Sequence, residues 1–350
     1  MTGVIDVGLI GFGFAGRTFH APVISAVEGL RLAAILQRHG SEAEQAYPGT
    51  RTVRSLDELV AIDSIRLIVI ATPNQTHFEL AKQCLQAGRH VIADKPFTTT
   101  YAEAAELVEL AEHQRCLISV YQNRRWDGDF LTVQRLLAEG RLGRIVLFES
   151  HFDRFRPQPK ANAWREQAGP GSGLLFDLGP HLIDQAMALF GVPQAISADV
   201  RTERDGASAD DAFDIVLHYP RMRALLRAGV MASTPTPRFA IHGTHGGYLK
   251  YGLDPQEDAL KHGERPTGNS WGQDARERWG ILYRVQGDSL AQEPLPTLAG
   301  DYRLYYANVR DAMLGKAPLS VTPEQALNVM RALELARESS RRGCVVPWQS

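Results

Sequence analysis

The run Gly11-Phe12-Gly13-Phe14-Ala15-Gly16 constrains this chain more than any other stretch. It follows an apolar segment, residues 4–10, that reads as a strand, and it opens a segment that reads as a helix to residue 27. In that context G-x-G-x-x-G marks a dinucleotide-binding turn. Gly11 permits the tight turn, Gly13 admits a pyrophosphate against the backbone, and Gly16 lets helix and strand pack closely. The helix N-terminus, beginning at Phe14, offers free N–H groups and a partial positive charge to phosphates.

The following residues keep the rhythm such a turn requires. Residues 32–36, 67–71, 90–93 and 116–120 read as strands, and residues 77–87 and 101–114 as helices. Residues 67–71 (LIVIA) are apolar and mostly β-branched, as in a strand buried on both faces. Strands alternating with helices imply βαβ units and a parallel sheet. After residue 121 the rhythm changes. Residues 130–139 and 174–190 read as helices, 145–152 as a strand, and 156–173 as a Pro- and Gly-rich loop. Several strand-like runs then follow one another, including 213–219, 224–231 and 239–242, the α+β pattern of a mostly antiparallel sheet. Residues 254–272 read as a surface loop, and 302–314 and 323–341 as closing helices, the last capped by Thr322 with Pro323 at its first position. The expected division is a Rossmann-type domain over 1–122 and an α+β domain over 123–350; a length of 350 residues suits two domains.

Residue chemistry at the strand ends points to a nicotinamide site. An Asp or Glu about 20 residues after the glycines would accept from a ribose 2′-OH. Here the second strand runs into Gln37-Arg38-His39 instead. Arg38 can pair with a 2′-phosphate, so NADP(H) is favoured over NAD(H). Thr72, Pro73, Asn74 and His77 stand at the carboxyl end of the fourth strand, where ligands bind in open α/β sheets, and are candidates to line the nicotinamide ribose. Lys95, in Asp94-Lys95-Pro96, sits at the mouth of the next strand and can polarise an oxygen that gains or loses a proton. Asp177, His181 and Asp184 are spaced i, i+4, i+7, so a helix would put them on one face. That spacing suits an acid–base pair. It also suits structural polar residues, or metal ligands, although no second ligand cluster accompanies it.

GFGFAG, TPNQTH, DKPF, QNRRW and the GSGxxxDxGPHxxD segment together resemble the Gfo/Idh/MocA oxidoreductases, over essentially the whole chain. The resemblance implies an N-terminal Rossmann domain and a C-terminal α/β domain on a large open sheet that commonly forms the oligomer interface, here a homodimer or homotetramer. It implies Lys95, Asp177 and His181 as the catalytic group, with His181 accepting the proton during oxidation. The family's E-K-P stands here as Asp94-Lys95-Pro96, the carboxylate kept but shortened by one methylene, with Asp94 and Lys95 among the cofactor contacts that the resemblance implies. The stretches 121–126 and 151–157 resemble NADP-dependent scyllo-inositol dehydrogenases in particular.

Asn123, Arg124, Trp126, His151 and Arg154 are the expected substrate contacts, and Trp164 and Arg165 the expected contacts to the cofactor carboxamide or phosphate. Such a set suits a polyol or sugar-like substrate, and its arginines leave an acidic one open. The rival reading is a non-catalytic NAD(P)-binding sensor or corepressor of the same fold. A net charge of −2 gives no basic footprint for nucleic acid or for a membrane surface. No apolar run approaches the ~20 residues that span a bilayer. The N-terminus lacks a basic region and a cleavage site, which favours the cytoplasm. Cys84, Cys116 and Cys344 are too scattered for a disulfide framework or a zinc knuckle.

Overall fold

Residues 3–159 and 164–348 are described by a computed structural model. Six strands form one wholly parallel sheet: β1 (Ile5–Ile10), β2 (Leu30–Leu36), β3 (Arg51–Val53), β4 (Ile65–Ile70), β5 (His90–Ala93) and β6 (Ile118–Val120). Their order is β3-β2-β1-β4-β5-β6. The strand order reverses beside β1, and the crevice outside the carboxyl ends of β1 and β4 is the ligand position of this topology. Every residue of β1 is buried, as an apolar strand covered on both faces must be. The crossovers are α1 (Ala21–Ser25), α2 (Glu42–Ala46), α3 (Leu56–Val60), α4 (His77–Gln86) and α5 (Tyr101–His113). A π-helical turn, Gly16–His20, leads into α1. Thr100 and Glu103 close a reciprocal capping box on α5.

Nine strands form the second sheet: β7 (Ile145–His151), β8 (Ala195–Arg201), β9 (Ala212–Tyr219), β10 (Met222–Gly229), β11 (Phe239–Gly243), β12 (Gly246–Lys250), β13 (Gly280–Gln286), β14 (Ser289–Leu295) and β15 (Val346–Pro347). The order is β14-β13-β12-β11-β7-β10-β9-β8-β15, antiparallel except where β7 meets β10. Helices α6 (Gly128–Ala138) and α7 (Leu174–Phe190) belong with this sheet. Phe148 on β7 packs on Phe190 of α7 and on Phe239, so one face of the sheet carries the core. Of the expected 156–173 loop, residues 160–163 lie outside the described residues, and Trp164–Glu166 form a 3₁₀ turn.

By contacts, one compact unit takes in residues 1–126, 256–271 and 301–327, and the other takes in 127–255, 272–300 and 328–350. The first unit thus reaches beyond the contiguous block 1–122 expected from the sequence. Residues 254–272, expected as a surface loop, carry α8 (Gln256–Lys261) and bury Gln256, Leu260 and Trp271. Gln256 explains this: its Oε1 accepts from Trp271 Nε1 at 3.0 Å and from Tyr302 N at 2.8 Å. From α9 (Arg303–Met313), Tyr305, Tyr306 and Val309 join the core cluster that contains Val7, Leu9 and Val69. The unit boundary falls within α10 (Pro323–Arg342). Thr322 caps α10 as expected, accepting from Gln325 N at 3.2 Å while the Gln325 side chain accepts from Thr322 N at 3.1 Å.

Candidate active site

The glycine turn has the geometry its three glycines imply. Gly11 has φ +95°, and a Cβ there would lie 2.6 Å from the Ala71 carbonyl oxygen. A Cβ at Gly16 would collide with the Gly11 carbonyl oxygen, so the helix can start so close to β1 only with glycine here. Gly13 is exposed, and a Cβ there would meet nothing within 4 Å, which leaves open space beside its backbone. Arg17 N donates to Gly13 O at 3.0 Å. The amides of Phe14, Ala15 and Gly16 precede that bond and have no intrahelical acceptor. This open backbone with unpaired helix-start donors fits a pyrophosphate. Phe14 is exposed and stacks edge-on with Phe19.

Arg38 follows β2, exposed to solvent, with no hydrogen bond or ion pair to a described residue. Its loop is held from below: Arg54 Nη1 donates to Gln37 O and to Gly40 O, both at 2.8 Å. Across the turn, Thr72 is half-buried, its hydroxyl 2.7 Å from that of Thr76; Pro73 is exposed and Asn74 buried. His77, an expected ligand contact, has partners within the protein. It is fully buried, with Nδ1 2.9 Å from Pro96 O and Nε2 3.0 Å from Thr72 O. A neutral imidazole has one N–H and donates to only one of these two carbonyls, and the ring sits between the loop after β4 and the loop after β5. Burial pushes the imidazole below its ordinary value of 6.5, against the Asp94 charge and the carbonyls of Thr72 and Pro96.

Asp94 and Lys95 lie half-buried just beyond β5. Asp94 Oδ1 accepts from Lys95 N at 2.8 Å. Burial pushes the Asp94 carboxyl up, yet the neighbouring His20, Lys95 and His77 side chains outweigh it and hold it below the ordinary carboxylate value. No local pattern singles out His20, which lies in the π-helical turn and is wholly buried.

In the second unit, 174–190 is helical as expected, so Asp177, His181 and Asp184 share one face of α7. Gly173 at its start has no side chain to cap with. Asp210 supplies the cap from a distant loop, its Oδ2 accepting from Leu175 N at 2.7 Å and its backbone carbonyl from Leu174 N at 2.8 Å. Burial raises the Asp210 carboxyl, and the Leu175 amide and the Arg337 charge oppose that shift. Asp177 is partly exposed and lies 3.5 Å from Arg165 Nε. Arg165 stacks on Trp164, 4.5 Å from its ring centroid. His181 is buried edge-on to Phe152, centroids 6.4 Å apart. Phe152 in turn carries the Arg238 guanidinium 4.1 Å from its centroid. Arg238 donates to Ser150 Oγ, and to Gln185 Oε1 at 2.6 Å, one turn beyond His181. Buried and drawing partners from three elements, Arg238 escapes any local pattern in the sequence.

The expected substrate contacts are divided between the two compact units. Arg124 is buried and paired with Glu257 of α8, while Trp126 packs edge-on to Tyr305. Both therefore serve the first unit's interior. Asn123 is half-buried beside them. His151 is buried with Nδ1 3.2 Å from Asp153 and Nε2 3.4 Å from Glu149, and Arg154 follows it, half-buried. Among the described residues no group of three His, Cys, Asp or Glu side chains is placed to hold a metal. No described helix is long and apolar enough to cross a membrane.

Two family models match, one described as an oxidoreductase-family NAD-binding Rossmann fold over residues 5–122, the other as an oxidoreductase-family C-terminal alpha/beta domain over residues 134–347. The chain is 48% identical to the uncharacterized oxidoreductase YdgJ of Escherichia coli, over 97% of this chain and 98% of that one. It is 38% identical to the scyllo-inositol 2-dehydrogenase (NADP(+)) IolW of Bacillus subtilis, over 96% of this chain and 94% of that one. Among solved structures, the oxidoreductase yvaA of Bacillus subtilis superposes with a TM-score of 0.97 at 37% identity, covering 100% of this chain and 99% of that one. With a parallel dinucleotide-binding sheet, a second mostly antiparallel sheet and these matches along its length, the chain belongs to the Gfo/Idh/MocA oxidoreductase family and is an NAD(P)-dependent dehydrogenase.

Proposed function

We propose that this dehydrogenase moves a hydride between NADP(H) and a secondary alcohol or ketone carbon of a cyclitol or sugar-like substrate, of which scyllo-inositol and its inosose are the type. The observation that carries this reading is the pairing of Asp177 and His181 on successive turns of α7, in a chain whose other unit has an open glycine turn. The similarity to IolW supports the substrate class and the cofactor. Gly11, Gly13, Phe14 and Gly16 would hold the pyrophosphate, Arg38 the 2′-phosphate, and Thr72, Pro73, Asn74 and Asp94 the nicotinamide ribose. Trp164 and Arg165 would meet the carboxamide end.

When bound, the nicotinamide supplies the two-electron acceptor or donor at C4. In oxidation, the His181 imidazole would take the O–H proton as the C–H electron pair leaves as hydride for that acceptor and the C–O bond becomes a carbonyl. The Lys95 ammonium donates to the reacting oxygen, and the Asp177 carboxylate holds the hydroxyl. Reduction runs the same steps backwards, with the imidazolium returning the proton. Asn123, His151 and Arg154 remain candidates for the substrate's other hydroxyls.

A screen of NADP⁺ reduction with inositols, aldoses and sugar acids, run in parallel with NAD⁺, tests this. Turnover of a cyclitol with NADP⁺ above NAD⁺ is expected. No turnover of any polyol, together with nicotinamide binding that responds to polyols, would support the sensor reading instead. We also propose assembly as a homodimer or homotetramer through the nine-stranded sheet. Val285 and Leu290 are 54% and 60% exposed there, beside a cavity of about 410 Å³ that they line with Tyr283 and Leu249. A monomer in sedimentation velocity at micromolar concentration would rule that out.

A further inference from the structure

His20 is buried completely, yet it is polar at both ring nitrogens. Nδ1 lies 2.6 Å from the Tyr306 hydroxyl. Nε2 points toward Asp94, 3.6 Å from Oδ2, and has no closer hydrogen-bond partner. The ring is held from the side by Tyr121, centroids 4.4 Å apart. Tyr306 is fully buried as well. Burial, with Tyr121, Tyr305 and Asp94 nearby, pushes its hydroxyl well above the ordinary value of 10, so the phenol keeps its proton. A buried hydroxyl proton needs an acceptor, and His20 Nδ1 is the one within reach. If Tyr306 donates to Nδ1, the ring proton must sit on Nε2, facing the Asp94 carboxylate.

The other edge of that carboxylate accepts the Lys95 amide at 2.8 Å. We propose that Tyr306 and His20 are positioning residues: the Tyr306 hydroxyl selects the Nε2–H tautomer of His20, which steadies the Asp94 carboxylate and through it the backbone at Lys95. The consequence for turnover rests on the reading of Lys95 as the lysine at the reacting oxygen; the tautomer itself does not. The logic is that of any imidazole oriented by its second nitrogen. It departs from the usual order in that a tyrosine does the orienting and a carboxylate receives the result.

Selective ¹⁵N-histidine labelling reads the tautomer directly in the unaltered protein, with His20→Gln identifying the signal by its loss. An Nε2–H signature for His20 is expected, and an Nδ1–H signature overturns the proposal whatever the variants do. In Tyr306→Phe the Nδ1 resonance of His20 should lose its hydrogen-bond shift and the ring its fixed Nε2–H form while NADPH still binds, as read by nicotinamide fluorescence. kcat should fall between about tenfold and a hundredfold, with little change in the KM of the alcohol, because a displaced reacting group costs rate more than binding. His20→Gln, whose amide can donate from the place of Nε2, should retain most turnover, whereas His20→Leu should not. Equal losses in Gln and Leu variants that melt like wild type would reduce His20 to packing and overturn the proposal. If Lys95→Met leaves turnover intact while His20 shows the Nε2–H form, the reading of Lys95 fails and the tautomer assignment stands.

Discussion

Removing the guanidinium in Arg38→Ala is expected to weaken NADPH binding about tenfold to a hundredfold, the range of one charge-assisted hydrogen bond, and to leave NADH binding nearly unchanged. Fluorescence titration with both dinucleotides checks this, and equal losses would remove the 2′-phosphate contact. The structure makes Arg38 a clean target, since it is exposed and engages no described neighbour. For Lys95→Met, the expectation is a loss of turnover of about 10²–10⁴-fold, the usual share of acid–base assistance, with NADPH affinity retained. Wild-type turnover in that variant would take the ammonium out of the chemistry. Residues of this kind stand out in the sequence as candidates because each sits at the end of a recognisable strand. His20, Tyr306, Asp210 and Arg238 were not legible, because each is defined by a partner 35 or more positions away: Tyr306 lies 286 positions from His20, and Asp210 lies 35 from Leu175.

At the scale of the element, strand and helix positions followed apolar spacing closely. Helix α7 has the bounds expected from its sequence, and β1, β2 and β4 differ from theirs by a residue or two. What spacing could not show was how an element is held. Helix α7 begins at a glycine and takes its cap from Asp210; Asp210→Ala should cost about 1 kcal/mol, a typical cap, and lower the melting temperature without changing cofactor binding. His77, which the sequence offered as a ligand contact, sits between the loops after β4 and β5. Its folded value lies below 6.5, so between the two values the native state binds fewer protons than the unfolded chain. Stability from His77 is then fully present above pH 6.5 and is lost as pH falls below it. His90 and His218 are also pushed down, by burial and by Arg66 and Arg223 respectively, and act in the same direction. In melting curves between pH 7 and 5, His77→Gln should show a shallower decline than wild type, from a lower starting point. An unchanged slope would mean that the buried ring does not titrate in this window.

For the molecule as a whole, the resemblance foresaw two sheets of the right kinds, but chain order was a poor guide to which residues build each compact unit. Spacing marks strands and helices and says nothing of which later segment returns to fill an earlier core. The first unit needs Trp271, Tyr302, Tyr305 and Tyr306, and all four come from beyond residue 250. A fragment of residues 1–126 should therefore lack a cooperative thermal transition and bind a hydrophobic dye, although it holds the whole parallel sheet. Cooperative melting of that fragment would show that the later aromatic residues are dispensable.

The same discontinuity bears on synthesis. Residues 301–327 emerge from the ribosome roughly 200 residues after position 126, a delay of about 10–40 s at ordinary elongation rates. Throughout that interval the nascent nucleotide-binding half must wait with its aromatic gap unfilled. A cell making this protein has more reason to engage chaperones early in translation than near its end.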